Sequence, residues 1–479
     1  MIARLGQRLS YIFRRTAPDP FVIAILLTII TAVLALMFGE IKAVDRSDQA
    51  VGLLDRAAQL LAAWRADDGL WKFLSFGMQM CLILVTGHAL ARTKPIAAAI
   101  GALARLPRQT GSAAAMVGFV AALTGLMNWG LGLIVGALLA REVGASLSKR
   151  GIRAHYPLIC AAGYMGLLVW HGGMSGSAPL TMTTSEGAEK VLPDAFLQRL
   201  GEAGITLEQT VFSPLNFFVS GGLLIGIPIL LALLRPPHEN AIEPIEKFTN
   251  VDSPAADTSS DAASDEDDDN GPSVPDRMDQ SPALAWLLAL PLLLALVQYA
   301  QVQGLGRLGL NEINAGMLAL GLILHGSPRS YMQAVTEGAR GCAGIIIQFP
   351  LYAGIMAMMA AAGLVTMLAE TFTSIGGERT IPILSFASAA IVNLFVPSGG
   401  GQWGIQGPIA VESGLAADIS VGKMIMAVAY GDQLTNMLQP FWALPLLGIT
   451  GVRARDIVGY TAVVMLAAGL WMILGLLIF

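Results

Sequence analysis

The sequence predicts an all-α polytopic membrane protein built as an inverted repeat, with two re-entrant hairpins and two broken helices. Three observations carry that prediction. The 479 residues are 54% hydrophobic and only 13% charged, with a mean hydropathy of +0.64, too apolar for a soluble chain of this size. A polar, glycine-rich break, Asn393-Leu-Phe-Val-Pro-Ser-Gly-Gly-Gly-Gln-Trp-Gly-Ile-Gln-Gly-Pro408, has a leaner echo at Asn128-Trp-Gly-Leu-Gly132. Each break is followed by a matching element, Ala161-x-x-Tyr164 to Pro179-Leu180 and Ala427-x-x-Tyr430 to Pro445-Leu446, at an offset of 265 to 266 residues. Hydrophobic segments interrupted at corresponding places in two halves are the sequence form of a secondary transporter, whose site lies where the breaks meet near the bilayer midplane.

Along the chain, residues 1–19 place Ile2, Leu5, Leu9, Ile12 and Phe13 on one helical face, as in an amphipathic helix lying on the membrane. Residues 20–237 form the first membrane repeat. Its apolar stretches 21–38, 73–90 and 211–234 are each about long enough for a ~20-residue span. The first follows a basic start but lacks a small-x-small cleavage site, so it is read as a retained helix. Hairpin 111–140 carries the Asn128 break. Residues 238–281 hold thirteen acids against Lys247 and Arg277 and have no apolar face, which predicts a disordered cytoplasmic linker. Residues 282–479 form the second repeat, with apolar stretches 283–300 and 457–479 and hairpin 380–416 around the Asn393 break. Cys81, Cys160 and Cys342 lack metal or disulfide spacing and read as packing residues.

Loop Lys and Arg residues set orientation. The basic N-terminus, Arg92/Lys94/Arg105/Arg108, Lys149/Arg150/Arg153 and Arg453/Arg455 are therefore assigned to the cytoplasm. The first hairpin then opens inward, and the alternation makes the second open outward. Arms of about fifteen residues, roughly 23 Å, fall short of a ~30 Å hydrocarbon core, which favours re-entrant hairpins over complete spans. Their tips must be buried together, because non-helical backbone at membrane depth needs protein or water to satisfy it.

At the second tip, Ser398, Gly399, Gly400 and Gly401 can adopt φ > 0 and bring backbone N–H groups to a ligand, and a helix starting near Trp403 aims its positive end at the tip. A carboxylate suits that arrangement. Asn393, Gln402 and Gln406 add neutral donors and acceptors, and Trp403 is a candidate cover for an alkyl chain. At the first tip, Asn128 is placed to face Asn393, beside Trp129 and Gly130. Gly132-x-x-x-Gly136 would admit a close helix. The broken helices contribute Ser175 and Ser177 from one copy, and Asp432, Thr435 and Asn436 from the other as candidate ion-coupling groups. A carboxylate inside the membrane marks function by default, and burial disfavours its charge, so Asp432 is suited to a coupling H⁺ or, with neighbouring oxygens, to Na⁺. His88 and His171 read as hydrogen-bonding residues.

Pro18-Asp-Pro-Phe21, Phe76-Gly-Met-Gln79 with Thr86-Gly-His88, Asn128-Trp-Gly130, Gln348-Phe-Pro350, Pro397-Ser-Gly-Gly-Gly401 with Gln406-Gly-Pro408, and Gln439-Pro-Phe-Trp-Ala-Leu-Pro445 resemble the bacterial short-chain fatty acid transporter family. The resemblance covers nearly the whole chain outside the acidic linker. It implies a multi-pass inner-membrane carrier for monocarboxylates of the butyrate and acetoacetate class, in a superfamily of ion transporters with paired hairpins. His171 stands where that pattern has glycine, and Gln402 where it has histidine.

Two other readings are weighed. A di- or tricarboxylate carrier would call for positive charge at the tips, which contain no Lys or Arg. Gly173-Met-Ser-Gly176 echoes an intramembrane serine hydrolase using Ser175, but the histidines that follow, His238 and His325, are poorly placed to activate it. The expectation is therefore a transporter and not an enzyme. It has no cofactor beyond a coupling ion, and its partners are substrate, lipid and potentially a second copy as a homodimer, with no nucleic acid.

Overall fold

The computed structural model describes residues 2–40, 52–183, 188–189, 205–249, 273–304, 309–377 and 379–479, and every regular element among them is helical. In chain order these are α1 (Ile2–Thr16), α2 (Pro20–Phe38), α3 (Leu53–Arg65), α4 (Leu74–Ala91), α5 (Lys94–Ala104), α6 (Thr110–Met127), α7 (Trp129–Lys149), α8 (Tyr156–Gly163), α9 (Ser177–Thr181), α10 (Pro214–Leu233), α11 (Val274–Asp279), α12 (Pro282–Gln303), α13 (Leu310–His325), α14 (Pro328–Ala339), α15 (Ala343–Ala361), α16 (Leu364–Ser374), α17 (Ile381–Asn393), α18 (Gly399–Ala416), α19 (Val421–Thr435), α20 (Pro440–Thr450) and α21 (Ala454–Ile478). Many open on a proline preceded by a polar cap. Asp19 accepts from Phe21 N–H, Ser213 from Asn216 N–H and Ser327 from Ser330 N–H.

Eight helices among the described residues are long and apolar enough to cross a membrane. The surrounding solvent is legible in α2 and α12. They leave Ile25, Leu26, Ile29 and Ile30, and Leu287, Leu288 and Leu294, exposed. Such apolar bands are untenable in water and costless in lipid.

The element order repeats. A helix pair, α6 and α7, precedes the interrupted segment running from α8 through two 3₁₀ turns to α9, and the pair α17 and α18 precedes α19 and α20. In the first pair the only break is Asn128, in extended conformation, whose side-chain oxygen accepts from Gly130 N–H at 3.0 Å and Leu131 N–H at 3.2 Å. Its arms are 18 and 21 residues, longer than the fifteen or so the sequence suggested, and each is long enough to cross. The length argument for re-entry therefore fails for this hairpin, because α7 continues through Arg141 and Glu142 to Lys149, past the expected hairpin end at residue 140. In the second pair the first arm is only 13 residues. Gly132 lies against Gly125 of the opposite arm, and Gly163 of the interrupted segment lies against Gly136, where added Cβ atoms would come within 2.5–2.6 Å of backbone. The Gly132-x-x-x-Gly136 spacing thus serves two close approaches.

The loops assigned to the cytoplasm gather at one end of the molecule. Arg150 donates to the carbonyls of Arg105 and Pro107, and Arg14 pairs with Glu243 and, at 3.2 Å, with buried Asp456. The linker is consequently ordered where it begins. Ile245 is buried, and Glu243 lends its N–H to His155 Nδ1 at 3.1 Å, leaving the other imidazole nitrogen to meet Tyr460 Oη at 2.7 Å. Burial holds His155 down to about 4, so it bridges these elements as a neutral ring. Beside this cluster α1 crosses α21 at Gly459, packing on the protein as well as facing outward. The expected disorder over 238–281 is corrected at both flanks: 238–249 pack as above, and α11 is tied through Asp276 to Arg329 at 2.6 Å. The acidic run 265–269 lies outside the described residues.

The inverted layout makes a direct prediction. Lys149→Cys should resist an impermeant thiol reagent in intact cells and react in inside-out vesicles, whereas Arg379→Cys should react in intact cells and resist in the vesicles. Labelling of both from the same side would remove the inverted arrangement.

Candidate functional site

The interrupted segment of the first half runs between the two tips. On one side Ser175 Oγ accepts from Trp129 N–H at 3.0 Å, and Met174 N–H donates to Leu126 O at 2.8 Å, joining it to the first tip. On the other side the second tip rests on Trp170 and His171. A Cβ added at Gly399 would sit 2.8 Å from the Trp170 ring and 2.9 Å from His171 Cε1, so only glycine permits this contact. The first tip reaches across likewise, with Trp129 and Trp442 ring centroids 5.1 Å apart. Each tip therefore leans on the broken helix of the opposite half.

His171 is the junction. Its Nε2 lies 3.0 Å from Ala178 N, and a backbone N–H can only donate. Nε2 must accept, so the ring proton sits on Nδ1 and is donated to Asp432 Oδ1 at 3.0 Å. The backbone N–H groups of His171 and Gly172 meanwhile donate to Gln433 Oε1. Asp432 is 2% exposed, and its Oδ2 has no partner. A buried oxygen left unpaired is costly, and such atoms collect where a ligand or ion is handled. The sequence reading treated His171 as an ordinary hydrogen-bonding residue. Its pairing with Asp432, across about half the chain length, carries no local signal.

At the second tip the helix starts at Gly399, not near Trp403, because Ser398 caps it by accepting from Gly401 N–H at 3.2 Å. None of Gly399, Gly400 and Gly401 has φ > 0. They are the first helical residues, and their value is open space. Among the described residues the N–H groups of Gly399 and Gly400 find no acceptor, as expected of a first helical turn. Above Gly400 the nearest atom to an added Cβ is Ser177 Cβ, 3.9 Å away. Two free N–H groups and the positive end of an 18-residue helix thus border an opening at exposed Gly400, with the Ser177 side chain across it.

Other candidates hold the tip together, although Asn393 Oδ1 and Gln402 Oε1 are, like Asp432 Oδ2, buried without a partner. Gln402 ties the arms of the second hairpin, donating to Ala389 O at 2.9 Å and Gln406 Oε1 at 2.8 Å, while Gln406 donates to Ser388 Oγ at 3.1 Å. Asn393 does not reach Asn128. Its amide donates to Thr435 Oγ1 at 3.1 Å and Asn436 Oδ1 at 2.9 Å. Thr435 in turn donates to Ala390 O, and Asn436 to Leu167 O, so both proposed ion ligands are engaged in holding the tip. Trp403 is 1% exposed and packs in a core with Ala178, Met182 and Ile425, away from any alkyl chain. The apolar wall is instead Trp170, stacked on His171 with centroids 4.3 Å apart, together with Met356, whose Sδ lies 3.4 Å from a Cβ added at Gly401. Met356 belongs to a plain apolar run, which is why sequence reasoning passed it over. Ser175 Oγ faces Trp129 N–H and both nitrogens of His171 are occupied, so neither His171 nor the distant His325, which meets Ser330 instead, activates Ser175.

The family model for the short chain fatty acid transporter matches residues 1–479. The chain belongs to that family. Curated relatives, provisionally named short-chain fatty acid transporters, occur in Escherichia coli K12, at 34% identity over all of both chains, and in Haemophilus influenzae, at 34% over 99% of each. Among solved structures, the Alcanivorax borkumensis YdaH transporter aligns over 96% of this chain and 97% of its own, with 17% identity and a TM-score of 0.43. Neisseria gonorrhoeae MtrF, of a class of antimetabolite efflux pumps, aligns over 99% and 97%, with 15% identity and a TM-score of 0.41. The protein is a multi-pass transporter of the bacterial inner membrane, not an enzyme. For this transporter Ser398→Ala removes one capping bond worth about 0.5–1.5 kcal/mol. It should lower thermal stability modestly in a melting assay, because the bond lost is a helix cap.

Proposed function

We propose that the transporter takes up a short-chain monocarboxylate of the butyrate and acetoacetate class, driven by protons through Asp432. The observation that carries this reading is the gap at the start of α18. There the N–H groups of Gly399 and Gly400 and the Ser177 side chain offer donors for one carboxylate, beside the His171–Asp432 pair. No Lys or Arg accompanies them, which favours a monocarboxylate over a di- or tricarboxylate. Trp170 and Met356 would cover a chain of a few carbons. The unpaired Oδ2 of Asp432 supports a proton as the coupling ion. Na⁺ would need several oxygens, and those of Thr435 and Asn436 are already committed. Because carboxylate and coupling group share His171 and its segment, occupancy of one can bias the other, as coupling requires.

The test is uptake of labelled butyrate into proteoliposomes under separately imposed proton and sodium gradients. Accumulation driven by the proton gradient alone is expected. Accumulation driven only by sodium would replace the proton reading, and absence of butyrate flux would remove the substrate class.

A further inference from the structure

We propose a second carboxylate station in this transporter, an anion-collecting vestibule at its arginine-rich end, distinct from the gap at α18. A cavity of about 500 Å³ opens between α4, α7, α14, α15 and α20, its lining including Arg141, Arg340, Gln348, Leu444 and Leu447. Its other charged groups are largely spoken for. Glu337 pairs with Arg92 and with His88, Arg453 with Asp456 at 3.3 Å, and Asp19 accepts from Phe21 N–H at 2.9 Å. Arg141 and Arg340 form neither an ion pair nor a side-chain hydrogen bond among the described residues. Three guanidiniums against two carboxylates leave the lining with surplus positive charge in a concave, partly apolar setting, which concentrates anions.

The floor supplies a second, independent observation. Gln348 is 4% exposed and its side-chain oxygen has no partner, an uncompensated polar group at the inner end of the cavity. Next to it Phe349 begins an aromatic series: Phe349 to Phe441 at 4.0 Å, Phe441 to Trp442 at 4.9 Å, Trp442 to Trp129 at 5.1 Å and Trp129 to Trp170 at 6.3 Å. The series ends on the ring that stacks on His171. Vestibule and site are thus linked through one packed aromatic series, buried at Phe349 and Phe441, with a carboxylate anchor proposed at each end. The inference rests on the monocarboxylate reading for its ligand, but its charge selectivity can be read without that ligand.

The experiment uses Leu447→Cys in the full-length protein in membrane vesicles with the arginine-rich face accessible. Cys81, Cys160 and Cys342 are buried, and the wild type serves as the control. Rates of modification by anionic and cationic methanethiosulfonates are each normalised to a free thiol. The anionic reagent should be favoured by roughly tenfold. Arg141→Gln with Arg340→Gln should abolish the bias, Lys at both positions should keep it, and butyrate but not neutral butyramide should slow the reaction. An unbiased ratio in Leu447→Cys alone overturns the vestibule without relying on the arginine variants. Bias without protection by butyrate, in a protein that transports butyrate, also overturns it as a substrate station. Butyrate flux of the wild type, measured in parallel, reports on the substrate reading separately, and the reagent ratio still decides the vestibule if that flux is absent.

Discussion

Gly400→Val is expected to abolish butyrate transport while leaving the protein folded. An added Cβ meets only Ser177 at 3.9 Å, an ordinary contact, and the backbone there is helical with φ < 0, so the substitution carries little strain. The isopropyl group instead occupies the open space between Gly400 and Ser177, beside the two unpaired N–H groups. Hydrogen bonds to a charged group contribute about 1.5–3 kcal/mol each. Losing two amounts to roughly a hundredfold or more in affinity. Two controls separate blockage from damage. Gly399→Ala collides with Trp170 and His171 and should lower thermal stability, whereas Gly404→Ala meets nothing within 4 Å and should be silent. A folded Gly400→Val protein that binds butyrate normally would place the carboxylate elsewhere.

Asp432→Asn should abolish gradient-driven accumulation and preserve exchange of internal for external substrate. The asparagine oxygen still accepts the Nδ1–H of His171, so the junction between the halves survives. What disappears is the negative charge and the oxygen able to take up a proton. Exchange does not require the empty carrier to return, so it tolerates that loss. Were Asp432 only a fastening for His171, the variant would accumulate butyrate like the wild type at every pH tested.

Much of the site was legible in the sequence because glycine, serine and asparagine are conspicuous in an apolar chain. The Asn128 and Asn393 breaks, the Gly399–Gly401 turn and Asp432 all stand out against their surroundings. Their roles were less legible. Gly399 to Gly401 suggested left-handed turns, yet they lie in regular helix and matter for the atoms they lack. Gln402, Gln406 and Trp403 sit within about five residues of the candidate ligand turn but face inward, because one helical turn carries a side chain through a full circle. Arm lengths were underestimated for the first hairpin because glycine-rich helices such as Thr110–Met127 look interrupted in sequence while their backbone hydrogen bonds run on.

The sequence by itself determined the membrane environment, the two-fold recurrence of breaks and the family, since these depend on composition, spacing and ordered motifs. The tertiary structure alone decided which groups meet: His171 with Asp432, Gly399 with Trp170, Gly400 with Ser177, and Asn393 with Thr435 and Asn436. Hydropathy and periodicity act over one or two helical turns. These contacts join segments up to 261 residues apart, and glycine-lined crossings, not any local pattern, bring them within hydrogen-bonding reach.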